Sequence, residues 1–316
     1  MNIIMALFPL VFLIGMGYVF KQTGFLQEAF WANSEKLNYY ILFPALLFSN
    51  LSSVKLDLGS VVMLYVALGI VIILISLLLW GLKFYFHIPV LRFGVYIQSQ
   101  IRFNTYIGLS LMGLMFGTIG MQLFSMIIAV AIPLVNIISV CSFTQSAQGQ
   151  LRFTLMSIVK NPLITACLFG IIFNCSGLLM PEGISQLLKL LASSSLPLGL
   201  ISVGAALQFS QLKPDFGRVM LNSVSRLLGV PILAYFVAQS FSLAPLHIAI
   251  LVVFFALPTA SASYILTRFF NGDSQLMAAI ISLQTLLFAL TFPLLMGLLF
   301  YFFFKQIIKK PTRGRL

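Results

Sequence analysis

Arg102-Phe103-Asn104-Thr105-Tyr106-Ile107-Gly108 interrupts one long apolar run, and Ala256-Leu257-Pro258-Thr259-Ala260-Ser261-Ala262-Ser263-Tyr264 interrupts another. Asn104 and Pro258 stand 154 residues apart, and each stretch breaks helical rules in the middle of a segment long enough to cross a bilayer. Proline removes a backbone donor and clashes with the carbonyl one turn earlier, so the second run must open at Pro258. Unpaired backbone survives at membrane depth only where protein or a water-filled cavity satisfies it. The half-helices so produced present free N–H groups and a positive dipole end at their N-termini, which suits a carboxylate. A packed proline kink is the plainer account of Pro258 alone; the polar cluster at the related position favours a site.

The rest of the chain supplies the membrane. Of 316 residues 60% are hydrophobic and 8% charged, with a mean hydropathy of +1.08. A soluble domain needs about a quarter or more of its surface charged, so lipid is the solvent of this chain. About 20 apolar residues cross roughly 30 Å of hydrocarbon, which leaves room for about ten spans and no soluble domain. Apolar runs fall at 3–20, 37–53, 60–86, 93–116 and 121–143, then at 153–173, 184–209, 216–241, 246–270 and 274–304. The first run has no cationic region before it and no small-residue cleavage site after it, so it is expected to stay in the protein. The net charge of +12 comes from basic residues placed singly at span ends, not from a nucleic-acid-binding stripe. Cys141, Cys167 and Cys175 lie within or beside apolar runs with no ligand spacing and read as packing residues.

An internal repeat organises these runs. Shifting the chain by about 153 residues lays Pro9 on Pro162, Gly24 on Gly177, Lys36 on Lys189, Pro44 on Pro197 and Gln122-Leu123 on Gln275-Leu276. Two units of five spans, an odd number, must enter the membrane from opposite sides. Inverted repeats of this kind build alternating-access transporters, with the site near the bilayer midplane. The expected units are 1–150 and an inverted 151–304, followed by a basic tail, 305–316.

Lys and Arg between spans set orientation. Lys21, Lys36, Lys83, Arg92, Arg152, Lys160, Lys213, Arg218 and Arg268 fall in the odd loops, against Lys55 and Lys189 in the even ones. The odd loops are therefore expected in the cytoplasm and both termini outside. The tail, with Lys305, Lys309, Lys310, Arg313 and Arg315, votes the other way, but nine spans are fixed before it is made.

Two arginines fall inside apolar runs: Arg102 near the start of the fourth and Arg226 within the eighth. A guanidinium in hydrocarbon is expensive, so each should face the protein interior, a cavity or the interface. Arg102, one turn from Asn104, reads as an anion-attracting group or as a snorkelling side chain; Arg226, with no acid in its segment, reads as a donor to backbone carbonyls or a site residue. All six acids, Glu28, Glu35, Asp57, Glu182, Asp215 and Asp273, lie near span ends, so no buried carboxylate marks a proton relay and the coupling ion stays open. The second and seventh spans carry Asn38, Ser49, Ser194 and Ser202 beside a mid-helix Pro44 or Pro197. These line a substrate path or let helices pack closely. Gly113-x-x-x-Gly117 reads first as close helix packing. No metal cluster, cofactor motif or catalytic triad is visible: His87 and His247 are far apart, and no serine has a partner at recognisable spacing.

Four stretches together carry a family likeness: Asn38-Tyr39-Tyr40-Ile41-Leu42-Phe43-Pro44-Ala45-Leu46-Leu47-Phe48, Arg102 to Leu109, Leu196-Pro197-Leu198-Gly199-Leu200-Ile201-Ser202-Val203-Gly204-Ala205, and Ala256 to Ala260. In this order, and over nearly the whole chain, they resemble the auxin efflux carrier family and its bacterial malate and malonate permeases. The resemblance implies five-plus-five inverted repeats with broken crossing helices four and nine. It also implies a scaffold of helices one, two, six and seven, and a transport domain of helices 3–5 and 8–10 that moves like an elevator. The crossing maps onto Asn104 and Pro258-Thr259. This chain departs from the pattern at the first crossing, where no proline accompanies Asn104.

The expectation is thus an all-α integral membrane protein of ten transmembrane helices, multi-pass in the cytoplasmic (inner) membrane and not an enzyme. It would carry a small organic anion such as malate or malonate, with Arg102, Asn104, Thr105, Pro258, Thr259 and Ser261 at the site. No cofactor, metal or nucleic acid is expected; lipid surrounds it, and a homodimer is compatible with the reading. A membrane-embedded enzyme on a lipid substrate, or a non-transporting channel or sensor of the same fold, is the rival reading.

Overall fold

The structure is a computed structural model that describes residues 3–53, 58–143, 156, 160–212 and 215–309, with the side chains of 3–4, 58–60 and 299–309 left aside. Lys55, Asp57, Arg152, Lys213, Lys310, Arg313 and Arg315 lie outside the described residues. Regular structure among the described residues is entirely helical. The elements are α1 (Ile3–Gln22), α2 (Glu28–Leu37), α3 (Phe43–Ser52), α4 (Leu58–Phe86), α5 (Val90–Ile101), α6 (Thr105–Phe143), α7 (Pro162–Cys175), α8 (Glu182–Ala205), α9 (Phe216–Val224), α10 (Val230–Ser240), α11 (Pro245–Ala256), α12 (Ala262–Phe269) and α13 (Ser274–Lys309).

Two π-helical turns explain how prolines sit inside long helices. Asn38–Leu42 joins α2 to α3, and Ser225–Gly229 joins α9 to α10. Each is followed by a proline in the first turn of the next helix, Pro44 or Pro231. The wider turn relieves the clash between the proline ring and the preceding carbonyls, so the helix continues instead of breaking. The second predicted span, 37–53, is therefore the apolar end of a longer helix that begins at Glu28. Hydropathy could not see its polar first turns.

Among the described residues six helical stretches are long and apolar enough to cross a membrane. Six differs from the expected ten partly because 90–143 is one continuous stretch of 54 residues by this measure, although it is broken before Thr105 and bent at Gly117. Gly117 takes φ 61 and ψ −149, a conformation open essentially to glycine alone. The expected Gly113-x-x-x-Gly117 packing motif is thus a bend instead: a Cβ at Gly117 would meet nothing. Large apolar side chains such as Phe8, Phe84, Leu179, Phe236 and Leu290 face outward, as an element surrounded by lipid requires. The chain is a multi-pass integral membrane protein.

Some backbone features of the two halves stand about 153–155 residues apart. The two helices that precede the breaks, α5 and α11, are 12 residues each and begin at Val90 and Pro245. Gly24 and Gly177 both terminate helical segments with φ near +69 and +68, and the bend at Gly117 has its counterpart in Asn271, φ 52.

The most extensive helix contacts fall in two groups, with α6 packed against both. In the first, α1 lies along α8, and α3 packs on both α7 and α8. The α1–α8 approach is close because both helices offer glycine there: a Cβ on Gly17 would overlap the Ile201 carbonyl, and one on Gly204 would overlap the Ile14 carbonyl. In the second, α4 packs on α10, α10 on α11, α5 on α6 and α9 on α13. The buried core runs through both groups, and α11 is buried along most of its length, from Ile248 to Ala256.

Candidate functional site

Both breaks come together. α5 ends at Ile101, and Arg102 leaves it in extended conformation, φ −77 and ψ 151. α11 ends at Ala256, and Leu257 does the same, φ −67 and ψ 144. Where the two strands of unwound backbone cross, the Asn104 N–H donates to the Pro258 carbonyl at 2.9 Å. The fourth span is thus broken without a proline. Asn104, 3% exposed, does this by capping α6: its Oδ1 accepts from the N–H groups of Tyr106 and Ile107, both at 3.1 Å. An N-cap asparagine supplies an acceptor to helical N–H donors that would otherwise be orphaned.

The N-terminal ends of α6 and α12 open on one cavity of about 190 Å³. Asn104, Thr105 and Tyr106 line it from the first, and Ser261 and Ala262 from the second. Arg102 joins them, held by its own donors: Nη1 to Gln98 Oε1 at 3.3 Å and Nη2 to Asn136 Oδ1. Tyr39 and Asn161 close the other side. Ser202 and Ser261 both line this space, and their hydroxyls are buried without a hydrogen-bond partner among the described residues. Buried polar groups are nearly always paired, so two unpaired hydroxyls beside a guanidinium and two helix N-termini leave hydrogen-bonding capacity unused at this cavity.

The sequence expectation divides here. Arg102, Asn104, Thr105 and Ser261 line the cavity. Pro258 does not; it contributes the carbonyl of the crossing. Thr259 is inaccessible and turns away, its hydroxyl on the Gln98 carbonyl at 3.3 Å and its N–H on Gln284 Oε1 at 2.8 Å. Of the path-lining candidates only Ser202 reaches the cavity. Asn38 instead bridges to α8: its Nδ2 donates to the Ser195 carbonyl at 3.1 Å, and its Oδ1 accepts from the Ser195 hydroxyl at 2.7 Å. Ser194 bonds back to the Leu190 carbonyl within its own helix, as serines in apolar helices commonly do. The Ser49 carbonyl accepts from the hydroxyls of Ser52 and Ser53 at the end of α3, away from the crossing.

Sequence reading missed three groups. Asn136 and Asn161 flank the cavity; the first is a lone amide in an apolar run just after Pro133, a signal that was there to be used. Glu35 lines the same cavity, one turn into what hydropathy took for a loop. Beneath the crossing, Gln98, Ser99, Gln100, Asn222 and Gln284 form a buried amide network, in which Gln100 Nε2 donates to the Asn222 carbonyl at 2.8 Å and Asn222 Nδ2 to the Ser99 hydroxyl at 2.9 Å. Among the described residues no group of His, Cys, Asp and Glu is placed to hold a metal.

At the far end of the second group of helices, Arg92 binds Asp215 at 2.7 Å and Asp273 at 3.0 Å, and Arg218 binds Asp215 at 2.9 Å. These bonds tie α5, α9 and the start of α13 together away from the cavity.

A sequence profile of a family described as membrane transport protein matches residues 2–296. An uncharacterized transporter of Methanothermobacter thermautotrophicus is 31% identical over 134 residues, 42% of this chain and 44% of that protein. The matched stretch therefore spans less than half the length of this curated relative.

Proposed function

Since the chain belongs to the membrane transport protein family, that of the auxin efflux carriers, we propose that it is a secondary carrier of a small organic anion, a carboxylate of the size of malonate or malate. One observation supports this above the others: two half-helix N-termini, Arg102 and two unpartnered hydroxyls converge on one cavity. Its volume of about 190 Å³ lies below the range typical of drug-sized ligands, which favours a substrate of a few carbon atoms. The N-termini and the guanidinium attract and orient the carboxylate, while Tyr39, Tyr106 and the hydroxyls supply shape and directed hydrogen bonds.

The carrier reading extends to architecture. Ten spans form two inverted five-helix repeats in the cytoplasmic membrane, with both termini outside. The group containing α1, α3, α7 and α8 is the scaffold, and the group built on α4–α6 and α9–α13 carries the site past it. The glycine seam between α1 and α8 fits a rigid scaffold, and the buried α11 with its amide network fits a body that moves as a unit.

The test is counterflow of labelled malonate into proteoliposomes that hold the full chain. A saturable exchange in wild type, lost in Arg102→Gln with folding intact, is the expected result. Non-saturable flux, or equal exchange in both proteins, overturns the reading.

A further inference from the structure

Arg226 is the largest side chain that the structure buries completely, at 0% exposure. A guanidinium so placed is tolerated only when its charge is compensated. Among the described residues no carboxylate pairs with it. Its partners are instead the two breaks: Nε donates to the Leu257 carbonyl at 3.0 Å and Nη1 to the Gln100 carbonyl at 2.5 Å. Leu257 is the residue after α11, and Gln100 lies in the last turn of α5. Both are C-terminal ends of half-helices, where carbonyls lack helical partners and the dipole is negative. Broken-helix transporters use such carbonyl-rich ends to hold a coupling Na⁺ or proton.

We infer that Arg226 is a built-in cation, a fixed charge that clamps the two half-helix C-termini at the crossing and does there what a bound metal ion would otherwise do. The crossing then has a fixed polarity. Its negative ends are neutralised by Arg226 from one side, and its positive ends face the cavity from the other. The side chain reaches this position from the π-helical turn Ser225–Gly229, and the Phe255 ring covers it, its centroid 5.9 Å from the guanidinium carbon. Nη2 has no partner among the described residues, so the geometry holds the guanidinium by two of its three nitrogens. Arg226 is a positioning residue: it acts through Leu257 and Gln100. A corollary follows for coupling, since a site already filled by a guanidinium has no need of sodium.

Thermal unfolding of the purified full chain tests this without any substrate, so it stands or falls separately from the carrier reading. Wild type is expected to melt within about 1 °C in sodium and in choline chloride at equal ionic strength. Arg226→Ala is expected to melt lower by about 5 °C or more, and guanidinium chloride at about 10 mM is expected to raise its midpoint while leaving wild type unchanged. Stabilisation of wild type by sodium over choline overturns the inference. So does an Arg226→Ala protein with an unchanged midpoint, or one that guanidinium does not restore. Should that variant not survive purification, the membrane-inserted yields of Arg226→Lys and Arg226→Met decide. Lysine keeps the charge and is expected to hold the yield within about twofold of wild type, whereas methionine keeps bulk without charge and is expected to lose it; equal yields, high or low, overturn it.

Discussion

Replacing Asn104 separates its cap on α6 from the anion contact proposed for it. Asn104→Ala removes an acceptor from two N–H groups, both held at 3.1 Å, at a position 3% exposed. Loss of an N-cap costs about 1 kcal/mol, and donors left unsatisfied at a buried site add about 1 kcal/mol or more. A destabilisation of about 2 kcal/mol lowers the melting midpoint of a chain this long by roughly 3 °C. Asn104→Asp is the sharper probe. A carboxylate keeps both N-cap bonds and is favoured by the helix N-terminus, so the fold and midpoint are retained. It also places a negative charge on the cavity wall. Against a substrate carboxylate about 5 Å away, at an effective dielectric of about 20, that repulsion is about 3 kcal/mol, which is roughly two orders of magnitude in affinity. Malonate counterflow in proteoliposomes, read beside the melting curve, checks both. An Asn104→Asp protein that melts like wild type and exchanges malonate within about tenfold of it refutes the placement of the anion at the α6 N-terminus.

Gly204→Val forces side-chain atoms into the Ile14 carbonyl and is expected to destabilise by about 3 kcal/mol, seen as loss of folded yield by size-exclusion chromatography, whereas Gly183→Ala, with open space around it, is expected to be neutral. Gly117→Ala requires alanine at φ 61 and ψ −149 and should lower stability by about 1–3 kcal/mol, against no comparable strain for Gly69→Ala; equal midpoints for the two variants would remove the bend as an explanation. Glu35 sits ahead of the apolar part of its helix, which begins at Leu37, and opens on the cavity; desolvation by the protein around it raises its carboxyl above the ordinary value of 4.5. A raised folded value means that its stabilising contribution is present at low pH and lost as pH climbs through that value. Melting midpoints of wild type should therefore fall relative to Glu35→Gln as pH rises from acid into the range above that value, and parallel curves for the two proteins would contradict this assignment.

Apolar run length, the charge at span ends and the paired irregularities at Asn104 and Pro258 are local properties, and they were enough to read a helical membrane protein interrupted at these two places. They also sufficed to name Arg102 and Asn104, because a charge and a capping amide in hydrocarbon have few innocent explanations. The orientation of Thr259, which bonds Gln98 and Gln284 and not the cavity, was not legible, since residues 98, 259 and 284 meet only after three helices have packed. The same holds for Asn38, whose partner Ser195 is 157 residues away.

Side-chain chemistry and spacing set which segments enter lipid and where their helices fail, because the bilayer judges each stretch of about 20 residues largely on its own. What a broken helix does with its freed backbone depends on which other chain ends arrive beside it. Only the assembled structure decided that Arg226 would serve the C-terminal ends at Leu257 and Gln100 while the N-terminal ends at Thr105 and Ala262 were left facing a cavity. A hydrogen bond or a field at the crossing is set by distances of a few ångströms between residues tens to more than a hundred positions apart, and no periodicity along the chain encodes those distances.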